Sequence, residues 1–284
     1  MFLRKYIACW LVKAMKIESN GVAYEVEITG AGEPLLLLHG FTGDSSTWKN
    51  LSDLHENYRC IMPDLIGHGK TDHPEKAERY RIEEAANDLR TILEKLNIDQ
   101  VHVVGYSMGG RLGLAFAVLH SEKVKTLTLE SASPGLATEE ERDSRKRQDD
   151  RLAEKIEREG IASFVEYWQD IPLFQSQNRL APQFKRQIHK QRLANSEKGL
   201  ANSLRGMGTG VQPSWWNELQ SLAMPVFLIT GSYDEKFCRI AKAMKECIKR
   251  CEWRTIQEAG HAIHVENPEM FGRIVSGFVE KWRG

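Results

Sequence analysis

One short segment constrains the fold of this chain more than any other. Residues 101–104 form a largely apolar run, VHVV, residues 112–119 have an apolar helical pattern, and the turn GYSMG at 105–109 joins them. A G-x-S-x-G turn between a buried strand and a helix holds its serine in a strained conformation, with the hydroxyl above the sheet. The segment therefore predicts a parallel sheet with a reactive Ser107 at a strand end.

The rest of the chain continues this alternation of strands and helices. Residues 22–28 alternate between apolar and polar, which is typical of a half-exposed strand. Apolar residues recur at helical spacing over 85–96, with acidic residues, Asp88 among them, expected on the opposite face. A continuous apolar run, typical of a strand covered on both faces, occurs at 34–38, and similar runs occur at 61–62, 127–129 and 226–229. The pattern predicts an α/β fold whose mostly parallel central sheet is flanked by helices.

Residues 134–220 break this rhythm with a charged, aromatic-rich segment. We interpret it as a helical lid over the carboxyl edge of the sheet, where sites in open α/β sheets lie. Residues 15–133 and 221–284 then form the core, and residues 1–14 are expected to be an extension that the fold does not require.

Composition excludes several classes of function. The 39 basic and 39 acidic residues cancel, so no general attraction to nucleic acid or to an anionic membrane is expected. No apolar run approaches the length of a membrane span, and the N-terminal residues make a poor signal peptide. The five cysteines contain no CxxC pair, which favours a cytoplasmic protein with free thiols. Neither a metal nor an organic cofactor motif is present.

A serine hydroxyl needs a neighbouring base, and the base needs an acid to orient it. Asp234 follows the predicted strand at 226–229, and His261 lies in a loop after the last predicted strand, in the order expected for this architecture. Glu130, which also ends a strand, is an alternative acid, and His264 is an alternative base.

Four further polar residues are interpreted as structural. They are Asp64, expected to cap backbone amides in a turn, and His39, His68 and His102.

Two backbone amides are candidates for an oxyanion hole. One is the N–H of Met108, directly after the serine, and the other is the N–H of Phe41 in the turn at 39–41. Arg111 lies one helical turn after Ser107 and is expected near the floor of the pocket. A buried guanidinium needs a counter-charge, so either an internal carboxylate or an anionic ligand is expected beside it.

Several motifs together resemble one family, the 2-succinyl-6-hydroxy-2,4-cyclohexadiene-1-carboxylate synthases of menaquinone biosynthesis. The resemblance runs from about residue 21 to the C-terminus and includes LHGFTGD at 38–44, GYSMGGR at 105–111, ESASPGL at 130–136, YWQDIPLF at 167–174 and DEKF at 234–237. It implies an α/β-hydrolase fold and a lyase that eliminates pyruvate from 2-succinyl-5-enolpyruvyl-6-hydroxy-3-cyclohexene-1-carboxylate.

The resemblance also implies roles for particular residues. Ser107 and His261 would act as the base system, Asp234 would orient His261, and the amides of Phe41 and Met108 would hold the developing oxyanion. The predicted receptors of the small polycarboxylate substrate are Arg111, Arg142 and Arg192, with Tyr106 and Trp168 as pocket walls.

Other functions remain open at this point. A carboxylesterase or C–C hydrolase would use the same three residues through an acyl-enzyme, and a catalytically quiet ligand receptor would not need them. A monomer or weak homo-oligomer is expected.

Overall fold

The apolar runs of the sequence become the central strands of one sheet. The computed structural model describes residues 12–283, and eight strands within them lie in the order β1-β2-β4-β3-β5-β6-β7-β8. The strands are β1 Lys13–Ser19, β2 Val22–Thr29, β3 Glu33–Leu38, β4 Tyr58–Pro63, β5 Val101–Tyr106, β6 Val124–Glu130, β7 Val226–Gly231 and β8 Cys251–Ile256. The pairs β1–β2 and β2–β4 are antiparallel, and every other neighbouring pair is parallel.

Helices cover both faces of this sheet. They are α1 Ser52–Asn57, α2 Ile82–Lys95, α3 Met108–Leu119, α4 Glu139–Gln169, α5 Pro182–Leu193, α6 Glu197–Met207, α7 Glu235–Cys247, α8 Ile263–Glu266 and α9 Pro268–Glu280. Short 3₁₀ helices occupy Ser45–Trp48, Ala77–Tyr80, Ser121–Lys123, Pro172–Arg179 and Leu219–Ser221. Helices α2, α3 and α7 pack on one face, and α1 and α9 on the other.

Strand β3 shows why a continuous apolar run is needed in the middle of the sheet. Successive side chains of a strand point to opposite faces. Leu36 and Leu38 accordingly join the hydrophobic core beneath α2 and α3, whereas Leu35 and Leu37 join the core beneath α1 and α9. All four side chains are fully buried.

Two expectations are corrected by the fold. Asp88 of α2 is buried, because its carboxylate accepts hydrogen bonds from Ser19 Oγ at 2.7 Å and Tyr24 OH at 2.6 Å and pairs with Arg79. Strand β1 begins at Lys13, which pairs with Ile28, so residues 13 and 14 belong to the sheet. The remainder of the predicted extension, residues 1–11, lies outside the described residues.

The segment between β6 and β7 is helical and has a small core of its own. Helix α4 is interrupted at Gly160, where φ is 81°, and packs against α5 and α6. The buried side chains Ala153, Ile156, Phe164, Val165, Leu200, Ala201 and Leu204 form this cluster, against which Phe41 and Trp168 pack. Because Phe41 follows β3, the cluster lies beside the carboxyl edge of the sheet. The proposed lid boundaries at 134 and 220 stay predictions.

None of the described helices is long and apolar enough to cross a membrane. The described cysteines, Cys60, Cys238, Cys247 and Cys251, are free thiols.

Candidate active site

Ser107 lies on the turn between β5 and α3, in a backbone conformation that side chains rarely adopt. Its φ is 51° and its ψ is −109°, and its N–H donates to the Glu130 carbonyl oxygen at 2.9 Å. The turn is this tight because two glycines let backbones approach. A Cβ at Gly109 would lie 2.1 Å from the Leu38 carbonyl oxygen, and one at Gly105 would lie 2.5 Å from the Gly109 carbonyl oxygen. The sequence thus positions the Ser107 hydroxyl above the sheet.

The structure brings Ser107, His261 and Asp234 together in one relay. The Ser107 Oγ lies 3.0 Å from His261 Nε2, and His261 Nδ1 lies 2.6 Å from Asp234 Oδ2. His261 and Asp234 are buried, with exposed fractions of 2% and 7%. An Nδ1–H that donates to the carboxylate leaves the Nε2 lone pair for the serine proton, which is the tautomer that a base needs.

Asp234 is held by the helix that follows it. It lies just after β7 and is the N-cap of α7, where its Oδ1 accepts the N–H of Phe237 at 3.3 Å. The Phe237 ring also packs against the His261 imidazole, with 4.7 Å between the ring centroids. The carboxylate and the imidazole are therefore both restrained by the start of α7.

The alternative acid and the alternative base pair with each other. Glu130 Oε2 lies 2.7 Å from His264 Nδ1, and Glu130 Oε1 accepts the His264 backbone N–H at 3.0 Å. Both side chains are almost completely buried. This pair ties the loop of His261 to the end of β6. Within the same loop, Glu266 accepts the Gly260 N–H at 2.8 Å.

The two residues that carry the predicted oxyanion donors, Phe41 and Met108, line the same cavity as Ser107 and His261. The Gly40 carbonyl oxygen accepts His39 Nδ1–H at 2.8 Å and the Gly43 N–H at 3.0 Å. The Gly40 carbonyl and the Phe41 N–H belong to one trans peptide, in which the two groups point in opposite directions. The bonds to the Gly40 oxygen therefore direct the Phe41 N–H away from His39.

The residues interpreted as structural are buried and hydrogen-bonded within the fold. His39 Nε2 accepts the Leu65 N–H at 2.9 Å, and Asp64 accepts the backbone N–H groups of Ser45 at 2.7 Å and Lys70 at 2.8 Å. The predicted capping role of Asp64 is confirmed by these bonds. His102 bonds Thr126 Oγ1 at 2.8 Å inside the sheet. Burial, together with the neighbouring His39, lowers the pKa of His68 to about 3.

The cavity above Ser107 has a volume of about 430 Å³, and Arg111, Tyr106 and Trp168 line it. Arg111 Nη1 donates to the Met207 carbonyl oxygen at 2.8 Å and to Gln212 Oε1. The sequence left two partners open for Arg111, an internal carboxylate and an anionic ligand. Within residues 12–283, Arg111 makes no salt bridge with a carboxylate. Burial and the charge of Arg145 lower the pKa of Arg111 to about 10.

The other two predicted arginine receptors do not line this cavity. Arg142 donates to the carbonyl oxygens of Leu136 at 3.3 Å and Ala137 at 3.5 Å. Arg192 is buried, with its guanidinium 4.7 Å from the centroid of the Phe174 ring, and lines a smaller cavity of about 80 Å³. Phe174 lines both cavities.

Sequence reasoning missed three cationic residues of the Ser107 cavity. Arg145, Lys236 and the exposed Arg239 line it. Burial and the charge of Arg145 lower the pKa of Lys236. A signal for Lys236 existed, since it follows Asp234 by two residues at the start of α7. Arg145 carried no signal that set it apart from the other basic residues of its helix.

Comparison with known proteins gives a consistent result. Residues 33–268 match the family described as the alpha/beta hydrolase fold. The chain is 44% identical, over 92% of its length and 96% of the relative, to a protein of Bacillus subtilis (strain 168) that is provisionally named 2-succinyl-6-hydroxy-2,4-cyclohexadiene-1-carboxylate synthase. It is 31% identical, over 82% of its length and 88% of the relative, to the synthase of that name from Salmonella paratyphi C (strain RKS4594).

Solved structures show the same likeness. The MenH structure from S. aureus superimposes with a TM-score of 0.87 and 36% identity, covering 92% of this chain and 99% of that one. A thermophilic esterase from Thermogutta terrifontis superimposes with a TM-score of 0.82 and 26% identity, covering 96% of this chain and all of the other, 100%.

Proposed function

This chain belongs to the α/β-hydrolase family and, within it, to the 2-succinyl-6-hydroxy-2,4-cyclohexadiene-1-carboxylate synthases, and from this premise we propose how its residues act. The enzyme is a lyase of menaquinone biosynthesis. Its substrate is 2-succinyl-5-enolpyruvyl-6-hydroxy-3-cyclohexene-1-carboxylate, from which it eliminates pyruvate to leave the diene. The proposal includes a cytoplasmic location, in keeping with the four free thiols of the described residues.

Ser107 and His261 remove the proton that starts the elimination. The proton lies α to the succinyl carbonyl, and the Ser107 hydroxyl is already within hydrogen-bond distance of His261 Nε2 at 3.0 Å. A base must be within such reach of the proton that it accepts. Asp234 holds the imidazole in the productive tautomer and stabilises the imidazolium that forms.

The charge left by proton removal moves to the succinyl carbonyl oxygen. The N–H groups of Phe41 and Met108 stabilise it there, and each such donor typically contributes about 3 kcal/mol. As the enolate collapses, its electrons move through the ring double bond and break the carbon–oxygen bond to the enolpyruvyl group, which leaves as the enolate of pyruvate. This leaving group takes up a proton on its methylene carbon and becomes pyruvate. No acyl-enzyme forms on Ser107 in this sequence of steps.

The observation that supports an anionic substrate most directly is the environment of Arg111. Its guanidinium faces the cavity, and its bonds are to the neutral oxygens of Met207 and Gln212. A buried cation without a carboxylate partner is costly, and a substrate carboxylate would offset that cost. A simple ester would not.

The decisive experiment supplies the enolpyruvyl cyclohexene substrate to the purified enzyme. Pyruvate is followed with a coupled lactate dehydrogenase assay, and the diene by its absorbance. We expect both to rise together, and Ser107→Ala and His261→Ala to abolish the rise. Cleavage of aryl esters without pyruvate release would identify a carboxylesterase instead and refute the proposal.

A further inference from the structure

The turn at 40–43, which carries the Phe41 N–H, has an unfavourable backbone conformation at Thr42. Thr42 has a φ of 69° and is only 2% exposed. A φ in this region is rare for a β-branched residue, and a positive φ at the third position of a turn favours glycine or asparagine. The surroundings of Thr42 must therefore hold a conformation that its own side chain disfavours.

The side chain of Asn195, which follows α5, bonds directly to this turn. Its Nδ2 donates to the Thr42 carbonyl oxygen at 3.0 Å, and its Oδ1 accepts the Gly69 N–H at 3.2 Å. The same Nδ2 also lies 3.2 Å from the carbonyl oxygens of Gln191 and Arg192, in the last turn of α5. Asn195 is 7% exposed, so water does not replace these bonds easily. One buried carboxamide therefore joins the turn to α5 and to the loop of Gly69.

Two peptide groups link Asn195 to the predicted oxyanion donor. The Thr42 carbonyl that accepts from Asn195 belongs to the same peptide as the Gly43 N–H. That N–H donates to the Gly40 carbonyl oxygen at 3.0 Å. The Gly40 carbonyl shares its peptide with the Phe41 N–H. A shift of the Thr42 carbonyl is therefore passed to the Phe41 N–H through two rigid planes and one hydrogen bond.

Helix α5 is itself fixed against the segment that follows the turn. Gln191 lies one helical turn before Asn195, and its Nε2 donates to three oxygens of that segment. They are Asp44 Oδ1 at 2.6 Å, Ser46 Oγ at 2.9 Å and Thr47 Oγ1 at 3.0 Å. Asn195 therefore acts from a support that is anchored beside the turn.

We propose that Asn195 is a positioning residue for the oxyanion hole, which holds the Phe41 N–H in place through the Thr42 carbonyl. Asn195 does not line the Ser107 cavity, so its effect on the reaction is indirect. The proposal deepens the proposed function, on which it rests, by naming what keeps one of its two oxyanion donors in register. An oxyanion donor acts only when it lies within hydrogen-bond distance of the charge that develops.

The first test is Asn195→Asp, with Asn202→Asp as its matched control. The new carboxylate keeps an acceptor for the Gly69 N–H and loses the donor to the Thr42 oxygen. Asn202 lies in α6, is 6% exposed, and donates from Nδ2 to the carbonyl oxygens of Pro74 and Glu75, both at 3.0 Å. It does not line the Ser107 cavity either.

The two variants should differ in kcat and not in KM. We expect Asn195→Asp to lower kcat for pyruvate release by about ten- to a hundredfold, the range for a displaced catalytic group, with KM within about threefold. Asn202→Asp should keep kcat within about threefold. A pair without the added charge, Asn195→Ala and Asn202→Ala, should show the same difference, and thermal unfolding shows which variants fold. Equal kcat values within a folded pair would overturn the proposal.

A second test asks whether the effect passes through Thr42. Glycine adopts a φ of 69° without strain, so a turn with Thr42→Gly needs less support from Asn195. We expect Asn195→Asp to lower kcat by less than about threefold in the Thr42→Gly background. The same loss of kcat in both backgrounds would refute the proposed route.

A third test does not depend on catalysis. Hydrogen exchange of the Gly43 amide, which donates within the turn, is measured by mass spectrometry on the full chain. We expect exchange at least about tenfold faster in Asn195→Asp and unchanged in Asn202→Asp, because loss of the bond to Thr42 lets the turn open. Unchanged exchange in Asn195→Asp would overturn the inference. If the wild type released no pyruvate, the proposed function would fail, and this measurement would still decide whether Asn195 holds the turn.

Discussion

The choice between Asp234 and Glu130 as the acid can be tested with two isosteric amides. In Asp234→Asn, a single acceptor oxygen replaces two. The carboxylate of the wild type serves both His261 Nδ1 at 2.6 Å and the Phe237 N–H at 3.3 Å. If the amide oxygen stays on Phe237, the NH2 group faces Nδ1 and forces the proton onto Nε2, where the base must be.

The expected effect on catalysis is large. Loss of the productive tautomer costs about 10⁴-fold in kcat in a comparable triad, which is about 5.6 kcal/mol at 1.4 kcal/mol per factor of ten. If the oxygen turns to His261 instead, the cap of α7 is lost at about 1 kcal/mol of stability. We expect pyruvate release at saturating substrate to fall by about 10³- to 10⁴-fold.

Glu130→Gln is the matched variant. Glu130 accepts both the backbone N–H and the Nδ1–H of His264, so the amide loses one buried acceptor, at about 1–3 kcal/mol of stability. We expect kcat to stay within about tenfold of the wild type, while urea unfolding shows the lost stability. A thousandfold loss of kcat in Glu130→Gln, together with an active Asp234→Asn enzyme, would show that the assignment of the acid is wrong.

Three further predictions follow from the strain at Ser107 and from the burial of His68 and Cys60. Ser107→Gly and Ser107→Ala should both be inactive. In urea unfolding, the glycine variant should be more stable than the alanine variant by about 1 kcal/mol, because φ 51° and ψ −109° strain any residue that has a side chain. Equal stability of the two variants would argue against strain. Burial lowers the pKa of His68 to about 3, so the unfolded chain binds more protons below pH 6.5 and stability falls between pH 6.5 and 3. His68→Gln should flatten that fall by up to about 1.4 kcal/mol per pH unit in urea titrations. Burial raises the pKa of Cys60 to about 12, so iodoacetamide at pH 8 should label exposed Cys247 and spare Cys60 until the protein unfolds, as peptide mass spectrometry would show.

The three residues of the relay could be predicted because the topology of a parallel sheet brings them together. Ser107 follows β5 and Asp234 follows β7, and both strands end at the same edge. The same rule places Glu130 there, as the last residue of β6, so topology alone leaves two acids open. What separates them is the loop of His261, in which His264 takes Glu130 and leaves His261 to Asp234.

The arginine receptors were harder to predict, because the sequence of a charged helix does not show which side of the helix faces the cavity. Arg142 and Arg145 are three residues apart, which leaves their side chains only about 60° apart around the helix axis. The rotation is set by a close approach after α6, where a Cβ at Gly210 would lie 2.3 Å from the Lys146 backbone nitrogen. With the chain pressed against α4 at that point, Arg145 faces the cavity and Arg142 turns back to the carbonyls of Leu136 and Ala137. Contacts between segments more than sixty residues apart therefore decide which cation faces the cavity, and no local pattern contains that information.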